Sequence, residues 1–349
     1  MKFRNKRRWQ IIKQYSVGWT LAFIFLAIVR GEGTKELGSV QFEVLESILT
    51  AFITGPILGS ISGYAQIFSE ERGYKRISIQ KLLALRIVYI LLFLVSLISL
   101  AYAFYGKNIT FIDFAFEPGS FAIYFYIVSV DIFMFGLRQV NLFLGSNNFW
   151  KLFRGSFYTP SEEERVFMFL DLESSTKHAE NLGHIEYSKM IQDCFNDLGI
   201  VIESEAEIYQ YVGDEAILTW KLQDGLRNQN CLNAYFKFKQ RLAIRKEHYL
   251  QNYNCFPQFK AGMNAGIVTV AEVGRYKKEI AYHGDTINTA ARIQGKCNEL
   301  NQELLISESL KNELSNTGYV FYKLGSMELK GKKSKILLYS VHQTNRRQT

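Results

Sequence analysis

Four apolar spans fill the first part of the chain, at about residues 14–30, 47–68, 82–105 and 119–144. Each approaches the roughly 20 residues that a helix needs to cross a bilayer. Backbone amides and carbonyls in hydrocarbon have no water to bond, so long apolar spans of this kind fold as helices. The first span has no small-residue cleavage site behind it and three more follow, so it reads as a retained helix and not a signal peptide.

Charge gives the expected orientation. The 349 residues carry a formal net charge of +8. Lys2, Arg4, Lys6, Arg7, Arg8 and Lys13 crowd the start. A basic run directly before an apolar span reads as a cytoplasmic anchor, with no nucleic-acid partner expected. Arg72, Lys75, Arg76 and Lys81 fill the second-to-third loop, and Lys151 and Arg154 follow the fourth span. The first-to-second loop is acidic, with Glu32, Glu36, Glu43 and Glu46 against Lys35; the third-to-fourth loop has Asp113 and Glu117 against Lys107. The bias predicts a multi-pass protein of the cell inner (plasma) membrane, in contact with the lipid bilayer, with both termini in the cytoplasm. Trp9, Trp19, Tyr102, Tyr105 and Trp150 are expected at the membrane–water interfaces. Asp131, near the middle of the fourth span, and Arg138, two turns on, are costly in hydrocarbon. A ligand or ion sensor fits them, and so does a helix-packing pair, with Arg138 alternatively reaching the cytoplasmic surface.

The division expected from these patterns is a four-helix transmembrane domain over 1–144, a connector over 145–164, a second domain over 165–343 and a tail over 344–349. Gly155 and Pro160 punctuate the connector. Ser161 and Glu164 have capping-box spacing, but a strand-like run follows at once. Cys194, Cys231, Cys255 and Cys297 show no CxxC spacing and are expected as free thiols. Strand patterns occupy 165–172, 206–212, 215–220, 259–273 (broken by Gly262 and Gly266), 319–324 and 336–341. Helical patterns occupy 175–199, 225–249 and 286–300. Gly213-Asp214 is a hairpin signal between two of the strands. The alternation with a hairpin predicts an α+β sheet containing antiparallel pairs, not a doubly wound one.

Within that domain, Asp171 and Asp214 each stand at a strand end in an apolar setting. Hard divalent ions take oxygen ligands, and two such ions clamp the attacking and leaving oxygens of a displacement at phosphorus. Asp214 alone would also suit an ordinary tight turn. After Asp171, Ser174, Ser175 and Thr176 open a helix whose free amides can cradle a phosphate. Asn288 and Arg292, four apart, share a helical face and can meet developing negative charge. Lys330, in a Lys-Gly-Lys turn, suits a triphosphate tail as well as it suits solvent.

Residues from about 160 to 343, through FLDLESST, YVGDEAIL, GDTINTAARI and LKGK, resemble the class III nucleotidyl cyclase catalytic domain. The resemblance implies a ferredoxin-like palm and a head-to-tail homodimer with its sites at the interface. It implies that ATP cyclises to 3′,5′-cyclic AMP and pyrophosphate, with two Mg²⁺ or Mn²⁺ ions per site. Asp171 and Asp214 match the metal aspartates, and Leu172 matches a residue whose backbone carbonyl also touches metal. Asn288 and Arg292 match the pair that orients ribose and stabilises the transition state; Lys330 matches a lysine on the terminal phosphates. Adenine-selecting members often carry Lys and Asp where this chain has Gln210 and Ala281. Gln210 can still bond a purine edge as donor and acceptor. It does not enforce adenine, and the Glu/Cys pair expected for guanine is missing too. His283 is expected in a structural role at the dimer interface and not as a general base.

The leading expectation is therefore a membrane-bound adenylate cyclase serving signal transduction. A guanylate cyclase and a catalytically inactive cyclase-like receptor are the alternatives. A diguanylate cyclase lacks its Gly-Gly-Asp/Glu-Glu-Phe turn here, because the turn reads Val212-Gly213-Asp214-Glu215-Ala216. A transporter fits poorly with so few polar groups in the spans.

Overall fold

The computed structural model describes residues 3–33, 36–37, 40–41, 44–73, 78–106, 109–144, 155, 157–315, 318–332 and 335–344. It divides into two compact units, one ending at Phe143 and one beginning at Leu144. Most of the expected connector, together with Trp150, Lys151 and Arg154, lies outside the described residues.

The first unit contains four long helices: α1 (Phe3–Gly33), α2 (Val44–Phe68), α3 (Ile79–Tyr105) and α5 (Ser120–Leu144). A two-residue-per-strand hairpin, β1 (Glu36–Leu37) and β2 (Val40–Gln41), follows α1, and the short α4 (Phe111–Ala115) precedes α5. All four long helices are long and apolar enough to cross a membrane. Close packing of α1 on α2 uses small residues: a Cβ at Gly55 or Gly59 would meet backbone atoms of Thr20 or Ser16. Without a hydrophobic force between helices in lipid, such small-residue seams are what bring backbones together.

Charges in this unit are paired across helices. The Arg86 guanidinium donates to both carboxylate oxygens of Asp131, and Ser62 Oγ donates to Asp131 Oδ1 at 2.8 Å. Arg138 donates instead to Glu70, at 2.6 and 2.8 Å. Asp131 and Arg138 thus belong to two different pairs, because α3 and the π-helical turn Ser69–Gly73 after α2 present partners that a single-span reading does not show. Trp19 is a second correction. It is 0% exposed in the bundle core, beside Phe23, so it is no interface anchor.

The second unit is built on one large sheet, in spatial order β4-β5-β3-β6-β8-β10-β9 with β7 paired to β6. Its strands are β3 (Ser161–Leu172), β4 (Glu207–Val212), β5 (Glu215–Lys221), β6 (Phe259–Val273), β7 (Glu279–His283), β8 (Leu304–Ser307), β9 (Tyr319–Met327) and β10 (Ile336–Gln343). The helices are α6 (Ser175–Leu198), α7 (Leu222–Leu226), α8 (Asn230–Ile244), α9 (Lys246–Tyr253), α10 (Asp285–Glu299) and α11 (Glu308–Glu313). The run β3-α6-β4-β5-α8-β6 makes antiparallel pairs in the order β6-β3-β5-β4. That is the ferredoxin-like arrangement. The expected strands are all present, with β3 starting at Ser161 inside the stretch expected as connector. Among the described residues only β6–β8 is parallel.

Strand alternation sorts the core. Val166, Met168, Leu170 and Leu172 face the main core with α6, α8 and α9. Phe167 and Phe169 face the other side, under Ala290 and Ile287 of α10. Strand β6 runs unbroken through Gly262 and Gly266, where the sequence pattern suggested breaks. These glycines lie under α10: a Cβ at Gly262 would fall on the Gln294 backbone, and one at Gly266 on Thr286. Their absent side chains let helix meet sheet, which is a packing role and not a turn. Cys194, Cys231, Cys255 and Cys297 are free thiols, as expected.

Candidate active site

Asp171 is the next-to-last residue of β3, on the face covered by α10, and Asp214 follows Gly213, whose φ of 62° suits the tight β4–β5 turn. Register places Asp171 directly opposite Glu215 of β5. Burial and the Asp214 charge raise the Asp171 carboxyl above its usual range, and the Leu172 N–H opposes that shift. Burial, with Asp171 and Asp214, pushes Glu215 up to about 7. Tyr187 of α6 is pushed up to about 12 by burial and the Asp214 charge. Lys260, the register partner of Asp171 on β6, is committed elsewhere, to Glu173 at 2.8 Å and Asn298 at 2.9 Å. Among the described residues no cation pairs with Asp171 or Asp214. Unbalanced carboxylates of this kind fit a hard divalent ion. Among the described residues no three acidic, imidazole or thiol groups converge enough to hold an ion alone, so part of its shell would come from substrate oxygens.

Helix α6 opens immediately after, at Ser175. Ser174 is left-handed (φ 57°) and its side chain caps nothing. The first-turn amides, including those of Ser175 and Thr176, therefore have no intrahelical acceptor. Leu172 buries its side chain in the core and pairs with Phe259 of β6.

Asn288, Arg292 and Lys330 form a second group. Asn288 is exposed and Arg292 half-buried on α10. The Lys330-Gly331 turn runs beside Arg292: a Cβ at Gly331 would stand 3.5 Å from Arg292 Nη2. Lys332 bonds Asp285 at the start of the same helix, at 2.5 Å. Among the described residues, no hydrogen bond or ion pair joins this group to Asp171 or Asp214. Asp171, Asp214 and Glu215 thus make one group, and Arg292 with the Lys330-Gly331 turn makes another.

Gln210 lies on β4 and Ala281 on β7, and it is their neighbours that touch. Tyr209, the extra residue of a β-bulge in β4, packs against Tyr282 of β7 with ring centroids 5.0 Å apart. Beneath them Arg165, 0% exposed, donates to Tyr282 Oη at 2.9 Å and to Glu207 at 2.7 Å. Gln210 is exposed, Ala281 half-buried and His283 exposed.

Two residues beside the aspartates escaped the motif reading. Glu215 carries its signal only once strand register is known. Gln294 of α10 donates from its side-chain amide to Asp171 Oδ2 at 3.3 Å. It lies about 200° around the helix from Arg292, at 3.6 residues per turn, so the spacing that singles out Asn288 and Arg292 leaves it aside.

The family model described as the adenylate and guanylate cyclase catalytic domain matches residues 157–343. Adenylate cyclase 2 of Rhizobium meliloti (strain 1021) is 32% identical over 212 residues, which is 60% of this chain and 58% of that one. The adenylate cyclase of Anabaena cylindrica is 27% identical over 190 residues, 52% of this chain and 37% of that one. The chain thus spans less than two thirds of these curated relatives. A solved bacterial light-regulated adenylyl cyclase shares the fold with a TM-score of 0.54 at 18% identity, covering 63% of this chain and 65% of that one. With its ferredoxin-like sheet and a match over more than half its length, the chain belongs to the adenylate and guanylate cyclase catalytic domain family, class III of the nucleotidyl cyclases.

Proposed function

We propose that the chain is a membrane-bound adenylate cyclase that converts ATP to 3′,5′-cyclic AMP and pyrophosphate in a head-to-tail homodimer. The ribose 3′-hydroxyl gives up its proton to solvent and attacks the α-phosphorus, the new O3′–P bond closes the ring, and the bond from the α-phosphorus to the bridging oxygen breaks as pyrophosphate leaves. Asp171 and Asp214, with the Leu172 carbonyl, hold two Mg²⁺ or Mn²⁺ ions per site. Such ions, when bound, stabilise the attacking and leaving oxygens as Lewis acids. Ser174, Ser175 and Thr176 offer first-turn amides to the phosphates. Asn288 orients the ribose, Arg292 meets the charge that develops on phosphorus, and Lys330 meets the terminal phosphates. Gln210 and Ala281 border the purine.

The observation that carries this reading is the division of the site. Asp171 and Asp214 stand together, Arg292 stands beside the Lys330-Gly331 turn, and among the described residues no bond joins the two groups, which supports a site completed by a second copy. The curated relative at 32% identity, named as an adenylate cyclase, supports ATP as the substrate. The charge bias of the loops supports a cytoplasmic catalytic unit, on the side where ATP is found.

The test is the purified full chain with Mn²⁺ and either ATP or GTP, with the cyclic product identified. Cyclic AMP from ATP is expected, and its loss in Asp171→Ala. Predominant cyclic GMP would make the chain a guanylate cyclase; no product from either nucleotide would make it an inactive receptor.

A further inference from the structure

Helix α10 carries polar groups toward two places. Arg292 lies beside the Lys330-Gly331 turn, and Asn288, four residues earlier, shares its helical face. Gln294 reaches the opposite way, to Asp171 Oδ2. Its place is fixed by the sheet, because Gly262 brings the Gln294 backbone directly onto β6. The Gln294 amide is a neutral donor, and among the described residues no cation pairs with Asp171, so the carboxylate is held without being neutralised. A carboxylate has about four acceptor positions, which leaves room for an ion on the remaining lone pairs. A lysine at the Gln294 position would compete with a cation; an amide turns the carboxylate and leaves its charge intact.

We propose that Gln294 is a positioning residue for the metal-binding Asp171, and that α10 therefore works in two sites at once. It serves its own chain's carboxylates through Gln294 and the second copy's nucleotide through Asn288 and Arg292. This rests on the shared-site reading given above. A helix seated on β6 then carries one group for the metal half of one site and two for the cationic half of the other.

Two experiments on the full chain separate the proposal from that reading. The first uses Mn²⁺ alone, without nucleotide, followed by the electron paramagnetic resonance signal of free Mn²⁺. Gln294→Leu removes the donor at similar volume and is expected to weaken Mn²⁺ binding about 10-fold, the scale seen for groups that orient metal ligands. An unchanged Mn²⁺ affinity with a lowered thermal midpoint would reduce Gln294 to a packing role and overturn the proposal.

The second mixes Asp214→Ala chains with Arg292→Ala chains, which leaves one working site per mixed dimer. Its carboxylates come from the Arg292→Ala chain and its guanidinium from the other. Adding Gln294→Leu to the Arg292→Ala chain is expected to raise the Mn²⁺ concentration needed for half-maximal rate about 10-fold. Adding it to the Asp214→Ala chain should leave that concentration unchanged. Equal effects from both placements overturn the proposal. No rescue in the parent mixture is a failure of the shared site and removes the two-site role of α10 with it; the Mn²⁺ titration then decides the Gln294–Asp171 link by itself.

Discussion

Glu215 stands opposite Asp171 across β3 and β5, and its carboxyl is pushed up to about 7 by burial and by Asp171 and Asp214. The folded chain without metal therefore holds a proton that the unfolded chain releases near 4.5. Stability is full below that lower value and falls as pH rises toward about 7. Glu215 is half-exposed, so solvent screening reduces the effect to about 1–2 kcal/mol. Glu215→Gln should flatten this slope, and Mn²⁺ should restore stability at pH above it. Thermal midpoints of both chains across pH, with and without Mn²⁺, measure it; parallel curves for the two chains would show that Glu215 does not titrate in this range.

Gly262 faces the Gln294 backbone with no room for a side chain. Gly262→Ala must push α10 off β6, and overpacking of this kind costs about 1–3 kcal/mol. Because α10 carries Asn288, Arg292 and Gln294, the rate should fall well beyond the loss of folded protein. Gly266→Ala meets only the Thr286 side chain and should be milder. Cyclase rate per folded molecule, compared between the two variants, checks the order.

How much of this was open to sequence reading follows from range. The four long helices were legible because an apolar run of their length has one outcome in lipid. Asp171 and Asp214 were legible because a strand end and a Gly-Asp turn are local signals. Glu215 and Gln294 were not, since their relation to Asp171 needs strand register and the seating of α10. Arg86 and Glu70 escaped for the same reason: their partners lie 45 and 68 residues away. Trp19 shows the limit of aromatic placement, because its type suited an interface while helix packing put it in the core.

In the proposed function Gln210 and Ala281 border the purine, and their chain neighbours Tyr209 and Tyr282 are in ring contact. Gln210 accepts and donates, so it discriminates weakly. Gln210→Lys together with Ala281→Asp supplies a donor and an acceptor fixed in sign. The ATP-to-GTP ratio of kcat/KM should rise at least about 10-fold, a step worth ~1.4 kcal/mol. A ratio that stays constant would place the base elsewhere.

Asp131 and Arg86 form a nearly fully buried pair, closed by Ser62 and flanked by Tyr89, whose ring centroid is 4.9 Å from the guanidinium. The pair joins α5, α3 and α2 across the apolar interior. Removing one partner leaves the other charge buried without compensation, which costs about 3–5 kcal/mol in water-soluble cores. Asp131→Leu and Arg86→Met should each lower the thermal midpoint of the detergent-solubilised chain strongly. The double variant removes both charges and should recover most of the loss, because an apolar contact replaces the pair. If the membrane unit governs how two copies meet, the double variant will fold and yet respond differently: its basal cyclase rate should shift while the Mn²⁺ requirement stays as in the parent. Additive losses in the two single variants, with no recovery in the double, would show that Asp131 and Arg86 do not act as a pair.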